Sequence, residues 1–185
     1  MRAHLTATCI VVATGALAAV VWACSDPVHD TRVDALGPEV ANVSPGPTHR
    51  PGQPCLTCHG GGGPADTELT VAGTIYQTKD PISPPAVGAT VTIFDGTQLA
   101  DGGAPHSTVT NAAGNFFFRR SDWSPVYPLH DIAVSYPGLA TPTMMHTTVG
   151  RDGACATCHF EPRGVDSHGH VYLVLEPTDL PGGAP

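Results

Sequence analysis

Charge is scarce in this chain. Only 13% of its 185 residues are Asp, Glu, Lys or Arg, and no run of like charge stands out. Lys and Arg number 8 against 16 Asp and Glu, a formal net charge of −8. That balance speaks against a nucleic-acid partner, because phosphate binding needs a basic face. Long apolar runs are missing too. The apolar stretch at 10–23 has 14 residues, short of the roughly 20 that span a bilayer as a helix. Turn formers are abundant instead, with 21 Gly and 19 Pro. This mix argues against a helical bundle and for short strands joined by many turns. The length suits one modest domain with a leader.

The leader reads as an export signal. Arg2 supplies a small positive start, the stretch at 10–23 suits a signal-peptide core, and Cys24 follows it directly in Val21-Trp22-Ala23-Cys24. That ending resembles the lipobox of bacterial lipoproteins, which implies lipidation at Cys24 and anchoring to a membrane. Ordinary cleavage near Ala23 is the alternative, and either route exports the chain to the periplasmic or cell-surface side. Residues 25–48 lack periodic hydrophobicity and are rich in Pro, Asp and Ser. They read as a flexible linker between residues 1–24 and a folded domain at 49–185.

Six cysteines are present. Cys9 lies in the leader and Cys24 at the lipobox. The other four form two copies of one pattern, Cys55-Leu56-Thr57-Cys58-His59 and Cys155-Ala156-Thr157-Cys158-His159. The C-x-x-C-H spacing is the attachment signature of c-type haem. Two thiols separated by two residues reach the two vinyl groups of one porphyrin, and the adjacent His supplies an axial nitrogen to the iron. The reading predicts two haem c groups, with Cys55, Cys58, Cys155 and Cys158 as attachment points and His59 and His159 as proximal ligands. Four cysteines can also form disulfides or a Cys₄ zinc site. Neither explains a His after each second Cys.

The flanks of the first motif are Pro47, Pro51 and Pro54, then 60–63 as four glycines and Pro64. Such residues break helices. With these flanks the motifs resemble those of multihaem c-type cytochromes more than compact class I cytochromes c, whose motif lies in an N-terminal helix. The resemblance implies haem held in irregular loops. The glycine run lacks the Lys-Ser/Thr ending of a phosphate loop and predicts close passage of the chain against the porphyrin.

Each haem needs a sixth ligand unless it binds substrate. His49 stands six residues before Cys55, Met144-Met145-His146 stands shortly before Cys155, and His168-Gly169-His170 follows the second motif. These are the candidate distal ligands, with His106 and His130 as further possibilities and His29 a weak one. Bis-His ligation favours a low potential, and Met144 or Met145 would raise it.

Between the motifs, about 68–150, the pattern is that of strands. Runs at 69–76, 89–94, 107–110, 115–119 and 132–136 are separated by Pro, Gly and Asn, and one more run lies at about 170–175. In the second run Val91 and Ile93 are expected to face inward and the threonines outward. The fold expected is mainly β, an antiparallel Greek-key sandwich flanked by two irregular C-x-x-C-H loops. Val71-Ala72-Gly73-Thr74-Ile75-Tyr76, Val87-Gly88-Ala89-Thr90-Val91-Thr92-Ile93 and Thr108-Val109-Thr110-Asn111-Ala112-Ala113-Gly114-Asn115-Phe116 resemble the carboxypeptidase-regulatory-like, transthyretin-like sandwich family. That resemblance implies a scaffold without catalytic residues of its own. Asp122, Trp123 and Tyr127 read as loop packing.

The function expected is an exported dihaem cytochrome that passes electrons between redox partner proteins. A peroxidase-like dihaem enzyme and a haem-based sensor are the alternatives. An open iron position would mark the enzyme, and a ligand-dependent spectrum the sensor.

Overall fold

The computed structural model describes residues 26–39, 43–96 and 104–181. The leader with Cys9 and Cys24, and the turn at Gly102-Gly103, lie outside the described residues. The chain divides into two units, 1–37 and 38–185.

In the first unit the segment read as a linker carries a helix, α1 (Pro27–Ala35). It has no buried residue, so apolar periodicity gave no sign of it. Its ends specify it. The Asp26 carboxylate accepts from the amides of Val28 and His29, at 3.1 and 3.0 Å. Pro27 occupies the first turn, where its missing N–H costs nothing.

The second unit contains α2 (Leu56–His59), β1 (Leu69–Thr78), β2 (Thr90–Phe94), β3 (His106–Val109), β4 (Asn115–Arg119), β5 (His130–Ser135), β6 (Thr143–Met145) and β7 (Val171–Val174). One sheet has the order β4-β1-β7 and the other β3-β2-β5-β6. A single apolar cluster draws from both: Val71, Ile75 and Phe116 from the first, Val91, Ile93 and Val134 from the second. Burying each such side chain contributes roughly 1.5–3 kcal/mol. Val91 and Ile93 are fully buried, and the threonines beside them are half-buried. The mainly β, two-sheet architecture is thus as the alternation predicts.

Two features depart from the expectation. β7 pairs with β1 in parallel, Ile75 opposite Val171 and Thr78 opposite Val174, so the first sheet is mixed. β6 was not foreseen as a strand. It pairs with β5 and sets Met144 opposite Ala133 and Met145 opposite Ile132.

β1 is buried from Leu69 through Ile75 without alternation. On its outer face Thr70 Oγ1 donates to Trp123 O at 2.9 Å, and Thr74 meets the segment that leads into the first C-x-x-C-H motif. The Gly52 amide donates to Thr74 Oγ1 at 2.8 Å, and Thr74 Oγ1 donates to Asn115 Oδ1 at 2.7 Å.

At one end of β2 the buried Asp95 carboxylate accepts from Trp123 Nε1 at 3.2 Å and from the Val126 amide at 3.1 Å. Trp123 packs edge-on to Phe118 and stacks on His106. The Tyr127 hydroxyl donates to Thr70 O at 3.2 Å. These are packing contacts. His130 is buried, with Nε2 2.9 Å from Asp95 O and Nδ1 2.9 Å from Asp131 Oδ2. Both nitrogens face acceptors, a demand only the protonated ring meets. The Asp131 carboxylate raises the His130 pKa, with burial opposing it. A raised folded-state pKa contributes stability below the unfolded value, near 6.5, that is lost as pH rises through the folded value. Asp131→Asn is therefore expected to lower stability at pH 5.5 by on the order of 0.5 kcal/mol, with the gap closing above neutrality. Urea unfolding at both pH values checks this. Asn tolerates the left-handed backbone at Asp131 (φ 46).

Candidate functional site

The two C-x-x-C-H motifs share their first three backbone bonds and differ at the residue that follows, where the Gly60 amide donates to Leu56 O and the Phe160 amide to Ser167 Oγ. In the first, the amides of Cys58 and His59 donate to Cys55 O at 3.1 and 2.9 Å. In the second, the amides of Cys158 and His159 donate to Cys155 O at 3.2 and 2.9 Å. The Thr57 amide donates to Pro54 O and the Thr157 amide to Ala154 O. Each motif is thus one helical turn, α2 in the first and a 3₁₀ turn (Cys155–Thr157) in the second. The surrounding prolines and glycines limit these turns to a single winding, so the expected irregular loops hold short helical pieces. A turn of this pitch sets residues three apart on one side, which gathers the paired thiols.

The chain then returns to each turn. The Ala65 amide donates to Cys58 O at 3.1 Å, and the His168 amide to Cys158 O at 2.9 Å. Just beyond, each return segment offers a carbonyl to the motif histidine. His59 Nδ1 donates to Thr67 O at 2.8 Å, and His159 Nδ1 donates to Gly169 O at 3.0 Å. A ring that donates through Nδ1 keeps its lone pair on Nε2, and the carbonyl fixes its orientation and raises its basicity as a metal ligand. Burial lowers the His159 pKa; its bond to Gly169 opposes this and His168 adds to it.

Each motif histidine also faces a second histidine. The His49 and His59 rings lie 5.7 Å apart between centroids, and the His159 and His168 rings lie 5.7 Å apart. Two imidazole nitrogens each about 2 Å from a shared metal put ring centroids on the order of 6 Å apart. The donor set at each motif is thus two thiols and two neighbouring histidine rings, the groups by which a haem c would be held.

Of the candidate sixth ligands, His49 and His168 are brought to the motifs. The others lie elsewhere in the fold. Met144 and Met145 belong to the β6 ladder, and Met145 packs against the core. His146 is exposed just past β6. His170 is buried, its ring tilted against Tyr76 with centroids 4.4 Å apart, with Nε2 3.1 Å from Thr78 O and Nδ1 3.3 Å from Glu161 Oε1. His106 and His130 serve the packing described above. His29 lies in α1, in the other unit.

Both motifs dock on β1. Asn115 Nδ2 donates to His49 O at 2.9 Å, and Asn111 Nδ2 to Pro47 O at 2.6 Å. These bonds fasten the segment that carries His49. The second motif runs beside β1, where the Ala72 amide donates to Gly153 O at 3.0 Å and Ala72 bridges Ala154 in parallel. From there the chain leaves as the second motif and rejoins β1 as β7. Cys155 packs against the core, and burial pushes its thiol up to about 12, with Cys55 and Asp152 adding to the shift. Burial likewise raises Cys55.

Sequence reasoning missed the clamps: Asn111 and Asn115 on the first loop, and Ser167 in the second. Ser167 is buried and its Oγ accepts from the amides of Phe160 and Gly169, at 2.9 and 3.1 Å, and bonds to Phe160 O. A Ser or Asn in a turn is too common to single out without its long-range partner. In the glycine run, a Cβ at Gly63 would meet Cys58 O at 2.2 Å. That glycine lets the return segment close on the motif's own backbone.

Cys55, Cys58, Cys155 and Cys158 are free thiols in this structure. Among the described residues no three His, Cys, Asp or Glu side chains gather as a metal-ligand set. No family model, curated protein or solved structure matches this chain.

Proposed function

We propose that this chain is an exported dihaem c-type cytochrome that transfers electrons in an extracytoplasmic redox chain. Cys55 and Cys58 hold one haem, with His59 and His49 as axial ligands. Cys155 and Cys158 hold the other, with His159 and His168. The observation that carries the reading is the repeated histidine pair, each motif ring donating through Nδ1 to a carbonyl and facing a second ring at 5.7 Å. Bound haem iron supplies one-electron chemistry at low potential under bis-His ligation.

The chain's own residues do the rest. The Thr67 and Gly169 carbonyls hold the proximal rings in one tautomer. β1 is the common scaffold for both motifs, which keeps the two sites in one body. A second ligand at each iron leaves no position for substrate, which favours a carrier over a peroxidase-like enzyme. Redox partner proteins are the implied contacts, and a lipid at Cys24 would tether the protein to a bacterial membrane.

A pyridine haemochrome assay with protein quantitation tests the reading, on protein made in a host with c-type maturation. Two haems per chain that survive denaturation are expected. No covalent haem would overturn the proposal.

A further inference from the structure

We propose that Lys79 and Arg163 form the seat for the propionate carboxylates of the second haem; this rests on the reading above. A cleft of about 200 Å³ is lined by Lys79, Glu161, Arg163, His168, His170 and Tyr172 among others. Ligand pockets for drug-sized molecules run from roughly 300 to 1,000 Å³, so this cleft suits the carboxylate arms of a porphyrin and not the whole ring. His168, the ring paired with His159, is one of its walls. A group held between those two rings borders on the cleft.

The charges point the same way. Lys79 is the only lysine in a chain of net charge −8. Elsewhere in the folded unit, Arg50 pairs with Glu39 at 2.8 Å, Arg120 with Glu68 at 2.5 Å, and Arg119 lies over the Phe117 ring. The side chains of Lys79, Arg151 and Arg163 form no ion pair among the described residues, and of these three Lys79 and Arg163 line the cleft. The carboxylate beside them is already engaged. Glu161 accepts from the amides of Arg163 and His170, at 3.0 and 3.2 Å, and faces His170 Nδ1 at 3.3 Å. Two cationic residues thus line a cleft whose own carboxylate is hydrogen-bonded within the loop. A porphyrin fixed by thioethers at Cys155 and Cys158 carries two carboxylates on the edge away from its vinyl groups. Those are the anions this cleft would receive, with bidentate capacity at Arg163.

The test uses the holoprotein of Lys79→Gln/Arg163→Gln, with each haem's reduction followed by spectroelectrochemistry. Neutralised propionates favour the ferrous state, so removing the cations is expected to lower one haem's reduction equilibrium constant about tenfold, 59 mV for one electron. The other haem stays unchanged. Redox-difference infrared spectra, with the propionate carboxyls labelled with ¹³C, are expected to shift their carboxylate bands in the same variant. Unmoved potentials would overturn the proposal. A lowered potential with unmoved carboxylate bands would overturn it too, since the cations would then act only through space. If the double variant fails to take up the second haem, the single variants carry the same two measurements and the same criteria. A wild-type chain without covalent haem would instead sink the reading under Proposed function.

Discussion

In the dihaem protein proposed above, His168→Ala is expected to convert one haem from low spin to high spin while both remain attached, and His49→Ala to convert the other. The argument is geometric. Under the proposed reading, thioether bonds to Cys155 and Cys158 would hold the porphyrin whether or not a sixth ligand is present, so haem content is expected to stay at two per chain. The His168 ring stands 5.7 Å from His159, and the His49 ring 5.7 Å from His59. No other histidine of the described residues makes a ring contact with either motif histidine. Each single variant is expected to lose about half of the low-spin signature, and the double variant nearly all of it. His146→Ala is the control and leaves the spectrum unchanged, because His146 is exposed beyond β6. Magnetic circular dichroism or electron paramagnetic resonance reads the outcome. Low-spin signal that persists in His168→Ala and vanishes in His146→Ala would assign the ligand to the segment before the second motif.

Gly153→Ala is expected to destabilise the fold by about 2–3 kcal/mol and to depress haem attachment at the second motif. A Cβ at this position would lie 2.0 Å from Thr70 O and 2.9 Å from the Tyr127 hydroxyl. The first obstacle is backbone of β1 and cannot swing aside. Relief requires the second motif to lift from β1, which breaks the 3.0 Å bond from the Ala72 amide to Gly153 O. Gly150→Ala is the matched control three residues earlier. Its Cβ would meet nothing within 4 Å, so a change within about 0.5 kcal/mol is expected. Urea midpoints for the two variants, with haem content, check the pair. Equal midpoints would mean that the second motif does not depend on close docking to β1.

Much of the fold was legible because strands announce themselves locally. Val91 and Ile93 alternate with threonines, and a half-buried strand reads as that alternation. β1 broke the rule because its outer-face threonines are met by residues distant in sequence, Thr74 by the Gly52 amide and Thr70 by the Trp123 carbonyl, and no local pattern reports such a cover. β6 was overlooked because Met144-Met145-His146 reads equally well as a ligand loop. Three residues are too few to show a period. α1 carries a signal in Asp26-Pro27, a cap followed by a first-turn proline, which the lack of apolar periodicity obscured.

The sequence by itself determined the mainly β class, the inward faces of β2, and the four thiols and two histidines of the motifs. These depend on neighbours within a few residues, and spacing alone sets them. Only the tertiary structure decided that β7 lies parallel to β1, that both motifs dock on that strand, and which histidine faces each motif ring. His168 and His170 stand two residues apart with the same chemistry. One faces His159, and the other is enclosed by Tyr76, Thr78 and Glu161. Their roles follow from the register in which the loop closes onto Cys158 O and rejoins β1. Register is a long-range property, set by what the whole sheet buries.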